Sequence, residues 1–480
     1  MPIPQERTSI KVQSERTVLA AVRLPDSNHD PRDPFGELAA LAEQAGGVVV
    51  GHVEQRLERP NAGTFMGKGK LDELRTTCEK LNATLVIFDH DLSPRQIANI
   101  EEVVGRKIID RSELILDIFA SRATTNEAKL QVELAQLEYT YPRLRAMWDH
   151  LERIVGSGGI GGIGTRGPGE QQLEIDRRLA QKKRLALRHR LDEIEGRKRR
   201  MVAQRNIDHF TVGIVGYTNA GKSTLFNTLT AGGAYADDRL FATLVTRTRE
   251  WDLGGGTRVM LSDTVGFVRD LPHNLVASFK ATLEEATHAH LLLIVLDVSD
   301  PSAERQYATV NSTLDELFTD LRERHEREAR RAGNVPDESQ TFKEPRRVLL
   351  LNKIDRLEDN ASLLVWQQRA KESIAICARD ANDPGLAALR TLVEEASQGI
   401  ERELTIRVSL SDAKTVDTLE KRARVLSRAY TASEVRLKVV IGQRLIDQLR
   451  SRGAKMIIEG EKPVLSSSAR TEGWATKKPR

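Results

Sequence analysis

The sequence predicts an α/β chain of several folded units, the central one a doubly wound parallel sheet. Three observations carry this. At 480 residues, the chain is about three times the ~150 residues of a single domain. Apolar strand-like runs alternate with helical periodicity along most of it, the pattern of parallel sheets covered by helices. One such run, 211–215, leads straight into a glycine-rich turn that opens a helix. A small α/β unit with a long helical hairpin is expected before this sheet, and a second small α/β unit after it.

In chain order, residues 1–15 are polar and expected to be disordered. The unit 16–122 then cycles through strand 16–24, helix 35–45, strand 48–53, helix 71–81 and strand 84–89, followed by a helix 94–104 capped by Ser93 and a strand 107–110. Helical pattern fills 127–147 and, beyond a stretch 156–169 that is more than half glycine, 171–204; together 123–206 predict an antiparallel hairpin. Composition alone reads the glycine stretch as a hinge, with an anion or chain contact as the alternative. The unit 207–399 has strands at 211–215, 258–261, 291–297, 347–351 and 373–377, and a charged segment 317–346 with few apolar anchors that reads as an exposed helical insertion. In 400–461 a strand 404–409, a helix 416–428, a strand 435–441 and a helix 443–451 follow, and 462–480 read as a tail.

Composition narrows the function classes. Aromatics are only 4%, too few for a surface of stacked rings that grips single strands. The 73 basic and 69 acidic side chains leave a net charge of +4, so nucleic-acid affinity has to come from local clusters such as 177–205. The longest apolar run, 291–298, is far short of the ~20 residues a spanning helix needs. No membrane association is expected. The charged first 25 residues predict no export signal, and Cys78 and Cys377 stand far apart, which suits a reducing compartment.

The chemistry concentrates in four places. Gly216, Tyr217, Thr218, Asn219, Ala220, Gly221, Lys222 and Ser223 form a complete G-x-x-x-x-G-K-S turn between strand and helix. Its amides can wrap a diphosphate, Lys222 can neutralise the β and γ oxygens, and Ser223 can offer its hydroxyl to Mg²⁺. Asp263, Thr264, Val265 and Gly266 end the next strand; the carboxylate can hold Mg²⁺ through water and the Gly266 amide can sense the γ-phosphate. Asn352, Lys353, Ile354 and Asp355 follow a later strand. Asp355 can accept hydrogen bonds from N1 and the 2-amino group of guanine, whereas adenine lacks that amine and would leave the carboxylate unpaired, a rejection of about 10⁴ or more. The three motifs in order imply GTP, with GDP as product. Between the first two lie Phe241, Ala242, Thr243, Leu244 and Val245, where Thr243 is the candidate second hydroxyl on Mg²⁺, with Thr246 and Thr248 as competitors. Cys377, Ala378 and Arg379 offer a last guanine contact. Lys222, Thr243 and Gly266 are the expected catalytic group. Phe267 stands where a glutamine orients water in Ras-type proteins, and a phenyl ring cannot do that, so slow intrinsic hydrolysis is expected. Asn219 has two readings, a helper for a monovalent cation such as K⁺ or a local bond that shapes the loop.

Beyond these motifs the chain resembles the HflX GTPases. The resemblance rests on Arg59-Pro60 through Gly67-Lys-Gly-Lys70, Asp110-Arg111, the Lys129 to Tyr139 stretch, Leu173-Glu174 and, as its most specific signature, Gly162 to Glu170, which includes Gly164, Thr165, Arg166 and Gly167. Asp263 to Phe267 with Arg269 also fits. The chain departs from the family pattern at Val245-Thr246, at Cys377 in place of serine and in the length of 317–346. The resemblance implies a cytoplasmic GTPase that binds the large ribosomal subunit and its rRNA and can split ribosomes, with the glycine stretch as more than a hinge. Gly164, Thr165, Arg166, Gly167, Arg177 and Arg178 are then the expected RNA contacts, since a basic hairpin suits insertion into folded RNA. A monomer is expected. The rival reading is a GTPase of tRNA modification or other RNA processing that does not split ribosomes.

Overall fold

The computed structural model describes residues 15–25, 33–156, 168–230, 246–254, 257–269, 288–331, 344–357, 359, 361–370, 372–399, 401–431, 433–451 and 453–463. Its first sheet is built of β1 (Arg16–Arg23), β2 (Val48–Arg56), β3 (Leu85–Phe88) and β4 (Lys107–Asp110), all parallel in the order β2-β1-β3-β4. The connecting helices are α1 (Gly36–Gln44), α2 (Lys68–Lys80) and α3 (Pro94–Val104), and α4 (Arg111–Arg122) closes the unit. The Ser93 cap forms as expected, with the Gln96 amide donating to its hydroxyl at 3.3 Å and Gln96 Oε1 accepting from its backbone at 2.9 Å.

Two long helices follow, α5 (Asn126–Gly156) and α6 (Pro168–Asp208). Leu134 packs with Leu187 and Leu191 between them, while Glu133 pairs with Lys183 at 2.7 Å and Glu127 with Lys198 at 3.3 Å, the order of an antiparallel pair. Tyr139 Oη donates to Asp110, which ties α5 to the end of β4.

The central sheet runs β10-β9-β8-β5-β7-β6, from β5 (Phe210–Gly216), β6 (Arg247–Gly254), β7 (Thr257–Asp263), β8 (Leu291–Asp297), β9 (Arg346–Asn352) and β10 (Ser373–Ala375). It is parallel except for β6, which pairs antiparallel with β7. Both β5 and β8 are buried along their whole length, as a strand covered by helices on two faces must be. The described helices here are α7 (Lys222–Leu229), α8 (Ala303–Arg331), α9 (Ala361–Arg369) and α10 (Pro384–Gln398). The last sheet, β12-β13-β11-β14, is antiparallel: β11 (Glu401–Ser409), β12 (Arg424–Tyr430), β13 (Glu434–Gly442) and β14 (Met456–Pro463), with α11 (Ala413–Arg422) and α12 (Gln443–Ser451).

Three expectations need correction. The charged segment beginning at 317 is no separate insertion at its start: α8 runs unbroken from Ala303, and Leu317, Phe318 and Leu321 are buried in the central core. With Ala303, Val310 and Leu314 earlier in the same helix they form one buried stripe, which seats a helix whose outer positions are largely charged or polar. The helix expected over 416–428 ends at Arg422, and Arg424–Tyr430 is strand β12. The chain beyond 456 also adds β14, which reaches Pro463, so the expected tail at 462 starts inside a strand. The rest of that tail, residues 1–14 and the glycine stretch 157–167 lie outside the described residues.

One apolar core connects the first and central sheets. Leu19, Leu38 and Ile115 belong to the same buried cluster as Tyr217, Phe267, Ile294 and Phe318. The expected units 16–122 and 207–399 thus share buried apolar residues, Tyr217 and Phe267 at the loops after β5 and β7 among them.

Candidate functional site

The site is assembled at the C-terminal ends of β5, β7, β8 and β9, where a doubly wound sheet opens its crevice. Residues 217–221 leave β5 and turn into α7, whose first residue is Lys222. Gly221 has φ +96, and a Cβ there would stand 2.2 Å from Asn352 Nδ2, so both conformation and space demand glycine. Asn219, exposed, turns the loop with φ +62. Lys222 is buried and its Nζ donates to the Tyr217 carbonyl at 2.6 Å. Burial pushes this ammonium down to about 8, against the opposing pull of Asp263.

Ser223 Oγ donates to Asp263 Oδ2 at 2.8 Å. This hydroxyl and carboxylate form an oxygen-only donor pair at the start of α7, chemistry that suits a hard divalent cation such as Mg²⁺. Thr264 is fully buried and donates to the Ile214 carbonyl at 2.7 Å, so its side chain holds β5 in place. The next residues are stitched to the loop: the Phe267 amide donates to the Gly216 carbonyl at 3.0 Å, and the Thr218 amide to the Phe267 carbonyl at 2.8 Å. Gly266 lies so close that a Cβ would meet Lys222 Nζ and Thr218 Cα at 2.9 Å each. Phe267 is 0% exposed, its ring committed to the core.

Asn352 joins the loop 216–223 to the loop that bears Ala378. Its Nδ2 donates to the Ala220 carbonyl at 2.7 Å, and its Oδ1 accepts from the Ala378 amide at 3.0 Å. Lys353, with φ +62, pairs with Asp297 at 2.6 Å. Asp355 sits exposed in the 3₁₀ turn Ile354–Arg356, and Cys377 Sγ donates to its Oδ1 at 3.4 Å. Burial, and then this bond to Asp355, push the Cys377 thiol up. Arg379 is exposed beside them.

The structure therefore brings together the residues of 216–223, 263–266, 352–355 and 377–379. Residues 241–245 with Thr243, and 164–167, lie outside the described residues. Of Thr243's two competitors, Thr248 is fixed in β6 opposite Ser262, with their hydroxyls 3.1 Å apart. Arg177 and Arg178 lie on α6, and Arg178 is exposed.

Comparison with known proteins meets this geometry. A protein named GTPase HflX from Lacrimispora saccharolytica is 45% identical over 65% of this chain and 73% of its own length. Another GTPase HflX, from Chlamydia pneumoniae, is 35% identical over 95% of this chain and 93% of its own. The chain belongs to the HflX GTPase family. Family profiles described as GTP-binding GTPase N-terminal, GTP-binding GTPase Middle Region and 50S ribosome-binding GTPase match residues 32–120, 122–205 and 211–328 of this HflX-family chain. A solved GTP-binding protein from Sulfolobus solfataricus, in complex with GDP, overlaps it with a TM-score of 0.39 and 24% identity over 80% of this chain and 98% of that one.

Sequence reasoning missed two features of this HflX-family site. Asp297, which holds Lys353, had a legible signal, an acid closing a wholly apolar run; the Tyr217 hydroxyl had none. It donates to Glu37 on α1 at 3.0 Å, 180 residues away in the chain, and accepts from the Arg269 amide at 2.8 Å. Among the described residues, no helix is long and apolar enough to cross a membrane.

Proposed function

We propose that this chain is a GTP-hydrolysing switch that associates with the large ribosomal subunit and splits or recycles ribosomes. The observation that carries the nucleotide chemistry is the Asn352 side chain, which latches the loop 216–223 to the loop bearing Cys377 and Ala378. Phosphate and base contacts are thereby held at one spacing. The 50S description of the profile matching 211–328 supports the ribosomal partner, as do the exposed basic residues of α6.

The backbone of Gly216, Tyr217, Thr218, Asn219, Ala220 and Gly221 receives the phosphates, and Lys222 supplies the charge that balances them. Asp355 reads the guanine edge once the base covers it, with Cys377, Ala378 and Arg379 at its rim. Mg²⁺, when bound, neutralises phosphate oxygens; Ser223 and Thr243 would hold it directly and Asp263 through water. The Gly266 amide senses the γ-phosphate. Phe267 cannot place the attacking water because its ring is buried, so basal turnover is slow and a bound partner supplies the missing order. Gly164, Thr165, Arg166, Gly167, Arg177 and Arg178 contact rRNA in this reading.

Sedimentation of whole ribosomes with the protein and GTP, GDP or a non-hydrolysable GTP analogue tests the partner. Release of free subunits with GTP or its analogue, and not with GDP, is expected. Binding to isolated large subunits without any release from whole ribosomes would sink the splitting step and favour a role in processing or assembly.

A further inference from the structure

A buried ion network joins the first sheet to the loop of Gly266. Asp89, at the end of β3, accepts from Arg23 at 3.0 Å, from Arg111 at 2.8 Å and from Arg269 at 3.1 Å. Burial would raise the Asp89 carboxyl, but Arg111, Arg269 and Arg23 outweigh it and hold the carboxyl below its ordinary range. Glu37 is the second carboxylate. It accepts from Arg111 at 2.6 Å and from the Tyr217 hydroxyl, and lies 3.7 Å from Arg269 Nε. Arg111 also donates to the Arg269 carbonyl at 3.2 Å.

The network is poor economy if its only task is to join two sheets. Desolvating this many charges recovers little stability compared with an apolar contact, and such a contact already exists in the core shared by Leu38 and Phe267. What charges add is direction: Asp89, Glu37 and Arg111 each reach Arg269, and Arg23 joins them through Asp89. Arg269 is three residues past Gly266, and its amide, carbonyl and guanidinium are each bonded within the network. Burial, followed by the Glu37 carboxylate, holds the Tyr217 phenol protonated, so it keeps its proton to donate to Glu37 while accepting from Arg269.

We propose that Glu37 is a positioning residue for GTP hydrolysis, acting through the Tyr217 hydroxyl and Arg269 to fix the backbone that presents Gly266 to the γ-phosphate. The inference rests on the nucleotide reading above and extends it to a part of the chain outside the central sheet. A loop held in place before the reaction spends nothing on ordering itself during it. Loss of the hold therefore shows in kcat, not in substrate affinity.

The test is steady-state GTP turnover of the full chain as wild type, Tyr217→Phe, Glu37→Ala and the double variant, with GDP-binding stoichiometry giving the folded fraction of each. Tyr217→Phe removes one hydroxyl and leaves the ring in the core. Each single variant should lose about tenfold in kcat, the worth of one hydrogen bond to a charged or backbone partner, with KM within about twofold. The double variant should lose less than the product of the two, because the residues act on one segment. An unchanged or raised kcat, a loss confined to KM, or multiplicative losses would overturn the proposal. Wild-type turnover with indifferent variants defeats only this inference, whereas absence of wild-type GTP turnover defeats the nucleotide reading itself.

Discussion

Replacing Asn352 by alanine should weaken GTP and GDP binding together and leave the chemical step of bound GTP nearly intact. Asn352 is 2% exposed, and both groups it satisfies belong to buried residues, Ala220 and Ala378. Truncation leaves one buried carbonyl and one buried amide without their 2.7 and 3.0 Å partners. Each such group costs about 1–3 kcal/mol, so the two together amount to roughly 2–6 kcal/mol. Part of that falls on folding. The part that falls on binding reflects a loop 216–223 no longer registered against 377–379, and if half is expressed there, affinity drops by about 5- to 150-fold. Fluorescence titration with a labelled GDP and a labelled GTP analogue measures the loss, and single-turnover hydrolysis at saturating protein measures the chemistry. A variant that melts lower yet binds both nucleotides as wild type would show that Asn352 braces the sheet and does not couple the two halves of the site.

Other consequences can be checked as directly. Lys222→Ala should abolish measurable nucleotide binding, read by the same titration; retention of GTP affinity would remove the phosphate assignment. Because Lys222 titrates near 8 and phosphate favours its charged form, affinity should be flat below pH 7.5 and fall about tenfold between pH 7 and 9 as the free protein loses that proton; calorimetry in two buffers should show proton uptake on binding at pH 8.5, and none would contradict the buried ammonium. Gly266→Ala puts a Cβ 2.9 Å from Lys222 Nζ and Thr218 Cα, so kcat should fall by at least about tenfold with GDP affinity nearly kept; an equal loss of both would mean the loop only shapes the pocket. Asp355→Asn should lower GTP affinity by about 10²-fold and shrink the preference over ATP, and competition binding with the two nucleotides would expose an unchanged ratio.

Much of the fold was legible because buried strands announce themselves: Leu291–Asp297 and Lys107–Asp110 carry apolar runs that admit few readings, and Ser93-Pro94 with Gln96 encodes its helix start locally. Strands β6 and β12 were not, since they lie at sheet edges with charged, exposed positions, and Arg424–Tyr430 follows a helix without a break residue. That 216–223, Asp263 and Asn352 to Asp355 gather at one end of the central sheet was readable because backbone geometry and cation chemistry restrict the residue types at fixed spacing. The tie between Glu37 and Tyr217 was not, because two polar side chains 180 residues apart leave no local pattern. Phe267 shows both sides: its inability to orient water followed from residue type, whereas its place in a core shared between two sheets emerged only from the structure.

The most direct test of a ribosome-ordered GTP switch is steady-state GTP turnover in potassium buffer with Mg²⁺, with and without purified large ribosomal subunits, ATP serving as control. Turnover should be slow for the protein alone and strongly stimulated by subunits, with the stimulation confined to GTP. Fast turnover without subunits, or no response to them, would contradict a partner-ordered switch on the ribosome.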